Sequence, residues 1–289
     1  MESIEQSIWA MILSGILALF ICALAYQKGF FHLPEGQWKE KSLRLLDPLV
    51  AFVIFFVVNL ILTPNIYSLL KYLFPEMPIL GYFSWITFLT YSITILGLVA
   101  YLSKMDSKTL KGMIKSEFLE KQSIFMDILM GILACIIVTP VTIFFGLSLE
   151  LILTKVFTIT FLPDQSAVAF LKKALNYPAY FIPAALTVSI LAPVMEELLF
   201  RGFLQSYLRK FLRCNWAIIL SSIVFALFHF NLQQKEANFL IIPILFIMGL
   251  MLGFIYERQR SLYASISLHA TYNIMNIVNI IILKDLTPF

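Results

Sequence analysis

The sequence predicts an all-α, polytopic membrane protein of about eight transmembrane helices. Three observations predict it. Of 289 residues, 60% are hydrophobic and only 13% charged, where a soluble domain carries about 25% charged residues. The apolar residues gather into runs near the ~20 residues that cross a bilayer core. The basic residues fall between those runs, more on one side than the other, as orientation in a membrane requires.

Eight runs qualify: 7–26, 46–70, 80–103, 124–153, 179–208, 215–232, 239–256 and 261–283. The first is too long for a signal-peptide core, and Glu2 and Glu5 precede it where a signal would be basic; it reads as a retained helix. The fourth is overlong and contains Pro140, which predicts a tilt or kink. The seventh is short. The stretch 155–177, with Pro163, Asp164, Lys172 and Lys173, is mixed and reads as a segment along the membrane surface. No internal repeat, low-complexity tract or soluble domain interrupts the chain. It reads as a single membrane domain, 1–289, with four N-terminal spans (1–153) and a C-terminal four-helix core (179–283).

With the N-terminus outside, 14 Lys and Arg fall in inward connections and 6 in outward ones, Arg201 lying within a span. That bias predicts N-out and C-out. The net charge of +4 is small and confined to loops, which argues against nucleic acid. Cys22, Cys135 and Cys214 lie far apart, without zinc or redox spacing, and read as small packing residues.

Against this background, Glu196, Glu197 and Arg201 fall within six residues of one apolar segment. A charge at the bilayer centre costs at least ~2.5 kcal/mol on insertion scales, so such residues are functional candidates. His229 and His269 also fall in predicted spans. Counted from the inner anchors at 1.5 Å per residue, Glu196 and His229 lie about 20 Å deep and His269 about 14 Å. Glu197 and Arg201, four apart, share a helix face and can pair, while Glu196 is turned about 100° away. His269 and Asn273 share a face, as do Phe225 and His229. A carboxylate beside a histidine can activate water as a general base, and a histidine with an asparagine can donate to a developing oxyanion. These parts suit amide hydrolysis, with no serine or cysteine nucleophile required.

The order E-E-x-x-x-R (Glu196, Glu197, Arg201), F-x-x-x-H (Phe225, His229) and H-x-x-x-N (His269, Asn273) resembles the motif set of the CAAX-prenyl-protease and bacteriocin-processing family, the intramembrane glutamic endopeptidases. The resemblance covers about 179–283 with no departure at the motif positions. It implies an eight-helix fold enclosing a conical intramembrane catalytic cavity. It implies Glu196 as general base, His229 orienting the water, His269 and Asn273 as oxyanion hole, and Glu197, Arg201 and Phe225 in support. The expected partners are the lipid bilayer and a membrane-associated peptide or protein substrate, in a cell membrane. Abundant Ile, Phe and Lys with little Gly suggest an AT-rich bacterial genome, where CAAX processing is less expected. The sequence sets no oligomeric state.

Other readings stand beside this one. Glu197 with Arg201 suits a structural ion pair, His229 a packing histidine bonded to a carbonyl, and His269 with Asn273 polar glue between helices, as Asn276 and Asn279 on the same span suggest. Phe225 alone would read as core. No cofactor is expected; the rival chemistry is zinc held by the two histidines and a glutamate, although H-E-x-x-H is absent. A non-proteolytic scaffold or self-immunity protein is a further alternative. A transporter is disfavoured because the charges cluster at one depth rather than along a path.

Overall fold

The computed structural model describes residues 2–34, 43–115, 123–159 and 165–283. Pro163 and Asp164, named above, and Lys39, Lys41, Lys121 and Lys284, which enter the count of basic residues in the connections, lie outside them. The helices in chain order are α1 (Glu2–Gln27), α2 (Leu46–Leu73), α3 (Ile79–Leu102), α4 (Ser107–Ile114), α5 (Ile124–Lys155), α6 (Ser166–Ala174), α7 (Pro178–Leu208), α8 (Cys214–Leu227), α9 (Asn238–Gln259) and α10 (Leu262–Leu283). No strand occurs among the described residues.

Six helical segments among the described residues are long and apolar enough to cross a membrane: Glu5–Gln27, α2, α3, α5, α7 and Leu232–Gln259. Large apolar side chains such as Leu19, Leu60, Ile79 and Phe125 face outward along them; in water such a belt would be a liability, whereas lipid is its natural solvent. The other two expected spans are also helical. α8 is shorter, and α10 carries His269, Asn273, Asn276 and Asn279. α5 is the central strut, packed on α1, α9 and α10, while α3 packs on α7. At 32 residues α5 is about 48 Å long, longer than a ~30 Å hydrocarbon core, so it tilts or projects. It runs unbroken through Pro140.

Two expectations need correction. The run 215–232 is not one helix: α8 stops at Leu227, and Leu232–Ala237 is a 3₁₀ segment leading into α9. Asn231 is the breaker. Its side chain accepts from the Gln233 N–H at 2.9 Å, and its own carbonyl accepts from Asn238 Nδ2 at 2.8 Å, a local alternative to helix bonding. The seventh span, read as short, is a full 22-residue helix. The segment 155–177 contributes α6, which packs Leu171 against Ala184 of α7 and Ile277 and Ile280 of α10, with Ala174 also buried.

α7 is not a regular α-helix. It widens to π geometry at Thr187–Leu191 and Leu198–Gln205. The first widening precedes Pro193, whose ring and missing N–H forbid an ordinary turn there. α2 repeats the device, with a wide turn at Val58–Leu62 ahead of Pro64.

The basic connections meet at one end of the bundle. Arg258 Nε donates to Phe30 O at 2.6 Å, Lys210 Nζ to Leu43 O at 2.5 Å, and Arg209 pairs with Glu257 at 3.3 Å. Lys115 forms an isolated bridge with Ser261. At the other end Ser166 accepts from Gln234 Nε2 at 3.0 Å and Asn231 Nδ2 at 3.3 Å, and Ser84 bonds Tyr180 O. Odd and even connections thus separate, as alternating spans require.

Candidate active site

Glu196 and Glu197 close the α-helical turn between the two wide segments of α7. Both are buried and they point to different neighbours, as adjacent helical positions must. Glu197 is fully enclosed. Its Oε1 accepts from Arg201 Nη1 at 2.9 Å and from His269 Nδ1 at 3.0 Å. Arg201 is also fully enclosed, its Nη2 donating to Gly249 O at 3.1 Å. The pairing read from the sequence therefore forms, and it includes a histidine from α10 that spacing along α7 could not reveal.

Glu196 lacks a basic partner nearby in sequence, but tertiary structure supplies two imidazoles. His229 Nε2 lies 3.8 Å and His269 Nε2 3.9 Å from its Oε2, and that buried oxygen accepts no hydrogen bond from the protein. The separations exceed a direct bond and suit a water that donates to Glu196 and to one imidazole.

Each imidazole is oriented from its far side. His229 sits in the turn after α8, not inside a helix as expected. Its N–H bonds to Ala226 O at 3.1 Å, and its ring Nδ1 meets Phe225 O at 2.9 Å, a carbonyl near the helix end of the kind a side chain can satisfy. The carbonyl-bonded histidine and the site histidine are the same residue. With Nδ1 donating in both rings, each neutral imidazole presents Nε2 as an acceptor toward Glu196.

Phe225 holds this arrangement together. Its ring lies 4.9 Å from His229 and 5.9 Å from His269, centroid to centroid, with the Arg201 guanidinium 4.6 Å from its own centroid. It is core, as its composition suggests, and it also touches three site residues.

Asn273, one turn beyond His269, donates Nδ2–H to Val188 O at 2.8 Å. The wide turn explains why that carbonyl is open. Ala192 N–H reaches back to Thr187 O, so the equivalent donor for Val188 O would be residue 193, a proline without N–H.

Glu196, Phe225, His229, His269 and Asn273 line one cavity of about 350 Å³. Its wall is mostly apolar, with Val168 and Leu171 of α6, Leu245 and Met248 of α9, and Ile277 and Ile280 of α10. Sequence reading missed Thr87 and Tyr91 of α3, which also line it; a tyrosine in an apolar helix gives no signal among 12 of its kind. Among the described residues no group of three or more His, Cys, Asp or Glu has an arrangement able to hold a metal ion.

Residues 178–275 match the family model for type II CAAX prenyl endopeptidase Rce1-like proteins. The match runs from the first residue of α7 to Met275 and contains all seven residues singled out above. No curated protein and no solved structure matches the chain significantly. The stretch 178–275 is thus an Rce1-like domain, of a protease family, in an integral multi-pass membrane protein.

Proposed function

We propose that the chain is an intramembrane endopeptidase in which Glu196 and His229 activate water within the cavity. The observation that carries this reading is the buried Glu196 Oε2, unbonded by protein and faced by two imidazole Nε2 atoms at 3.8 and 3.9 Å. Water held among them loses a proton to Glu196 as its oxygen attacks the scissile carbonyl carbon. The negative charge moves to the carbonyl oxygen, where Asn273 offers its second amide hydrogen and His269, when doubly protonated, offers Nε2–H. As the C–N bond breaks, Glu196 returns the proton to the departing nitrogen, leaving a carboxyl and an amine. Glu197 and Arg201 are positioning residues, acting through His269 Nδ1.

The substrate is a peptide segment reached from the membrane, since the cavity wall is mainly apolar. The N-terminus lies outside, as the basic bias directs. No metal takes part in this scheme; zinc on the two imidazoles is its rival.

The test is cleavage of a fluorogenic peptide library, including a farnesylated CAAX peptide, by protein purified in detergent, beside Glu196→Ala, with and without a strong chelator. Cleavage lost in the variant and indifferent to chelation is expected. Full activity in Glu196→Ala overturns the mechanism; loss on chelation with recovery in zinc transfers it to the metal.

A further inference from the structure

The groups placed in the mechanism leave few hydrogen-bond donors free within the cavity. Glu196 Oε2 accepts nothing from the protein. Both imidazoles spend Nδ1 elsewhere, on Phe225 O at 2.9 Å and Glu197 Oε1 at 3.0 Å. Asn273 has one amide hydrogen on Val188 O at 2.8 Å. A tetrahedral intermediate puts a full charge on oxygen, and in a site sheltered from water that charge needs donors already aimed at it.

Tyr91 has an uncommitted donor. It lies on α3, one turn after Thr87, and both line the cavity. The Thr87 hydroxyl is used within its own helix, on Phe83 O and Ser84 O, each at 2.9 Å. The Tyr91 ring packs against the main core and lines the same cavity as Glu196. Yet its hydroxyl bonds to none of the described residues. A tyrosine hydroxyl held away from bulk water usually finds a partner, and others here do: Tyr272 bonds Thr142 at 3.2 Å, Tyr256 Ser206 at 2.8 Å, and Tyr101 Asp47 at 2.7 Å.

We propose that Tyr91 is a catalytic residue of this site, its phenol O–H donating to the oxyanion of the tetrahedral intermediate. The inference rests on the endopeptidase reading above and adds a donor from outside the matched stretch 178–275. It also gives the N-terminal half a part in the chemistry. The proton stays on the phenol, and no bond to it breaks.

Tyr91→Phe removes only the hydroxyl. On the peptide that wild type cleaves, kcat should fall by about 100-fold, the usual effect of losing one oxyanion donor, with KM and melting temperature kept. A phosphinic analogue of that peptide, whose anionic oxygen mimics the oxyanion, should inhibit the variant about as much more weakly, while the parent peptide binds equally. Wild-type kcat, or undiminished phosphinate inhibition, in Tyr91→Phe overturns the role of Tyr91 while a dead Glu196→Ala preserves the endopeptidase. If wild type and Glu196→Ala cleave equally, the Glu196 mechanism falls and takes this one with it; if neither cleaves any peptide, the endopeptidase reading itself falls.

Discussion

At the residue scale, the two adjacent glutamates separate into a chemical and a structural role because their neighbours differ. Glu197 is bound through Oε1 to Arg201 and His269, whereas Glu196 faces two imidazoles across gaps that can hold a water. Substituting either neighbour therefore has opposite signatures. His229→Ala should lower kcat by about 10²–10⁴-fold with an unchanged melting curve, since the ring is partly exposed to the cavity; unaltered turnover in a fluorogenic assay would remove it from the mechanism. Arg201→Ala strands a buried carboxylate and should cost about 3–5 kcal/mol, read by denaturant titration in detergent, and wild-type stability would count against the pairing. The candidates were legible because ionisable side chains in apolar spans are exceptions, and three spaced motifs tied them together. What could not be read was which imidazole meets which carboxylate. His269 is 72 positions from Glu197, and no helical period relates them. Tyr91 was illegible for another reason: its function lies in lacking a partner, a property of the folded state alone.

At the element scale, α10 brings His269 and Asn273 to α7, and α5 sets where α10 lies. The crossing depends on Gly131. A Cβ there would stand 2.3 Å from Ala264 O, 2.8 Å from Leu268 N and 2.8 Å from Ser267 Cβ. Two of these are backbone atoms, one of them in the residue preceding His269, so the helix itself would have to move. Gly131→Ala should destabilise by about 1–3 kcal/mol, as overpacking does, and should also reduce kcat by displacing His269. Gly112→Ala in α4 is the control, because a Cβ there meets nothing within 4 Å; its effect should stay within about 1 kcal/mol. Equal melting curves and equal rates for the two variants would show that the α5–α10 crossing does not set the site. The helices themselves were legible from apolar runs, since burial in lipid demands length and little else. Their irregularities were not. The first wide turn of α7 follows from Pro193, whose consequence depends on which carbonyl is freed and what reaches it, and the early end of α8 follows from Asn231 bonding locally rather than continuing an apolar run.

At the scale of the whole molecule, the position of the cavity bears on which substrates can reach it. The connections rich in Lys and Arg gather at one end of the bundle, where Arg258, Lys210 and Arg209 bind Phe30, Leu43 and Glu257. The cavity is lined instead by Gln165, Ser166 and Val168, and Ser166 is tied to Asn231 and Gln234 of the opposite end. If the basic end faces the cytoplasm, as the count of 14 against 6 directs, the cavity lies toward the outer face. Substrates then approach from the outer leaflet or the exterior, and cytosolic prenylated proteins are out of reach. The argument is testable without knowing the substrate. In a background with Cys22, Cys135 and Cys214 replaced, single cysteines at the exposed positions Gln233 and Lys104 report the two ends. A membrane-impermeant maleimide added to intact cells should label Gln233→Cys, and Lys104→Cys only after permeabilisation. The reverse pattern would turn the cavity toward the cytoplasm. It would show that the basic residues serve contacts between connections rather than orientation, and would return prenylated cytosolic peptides to the front of the substrate search.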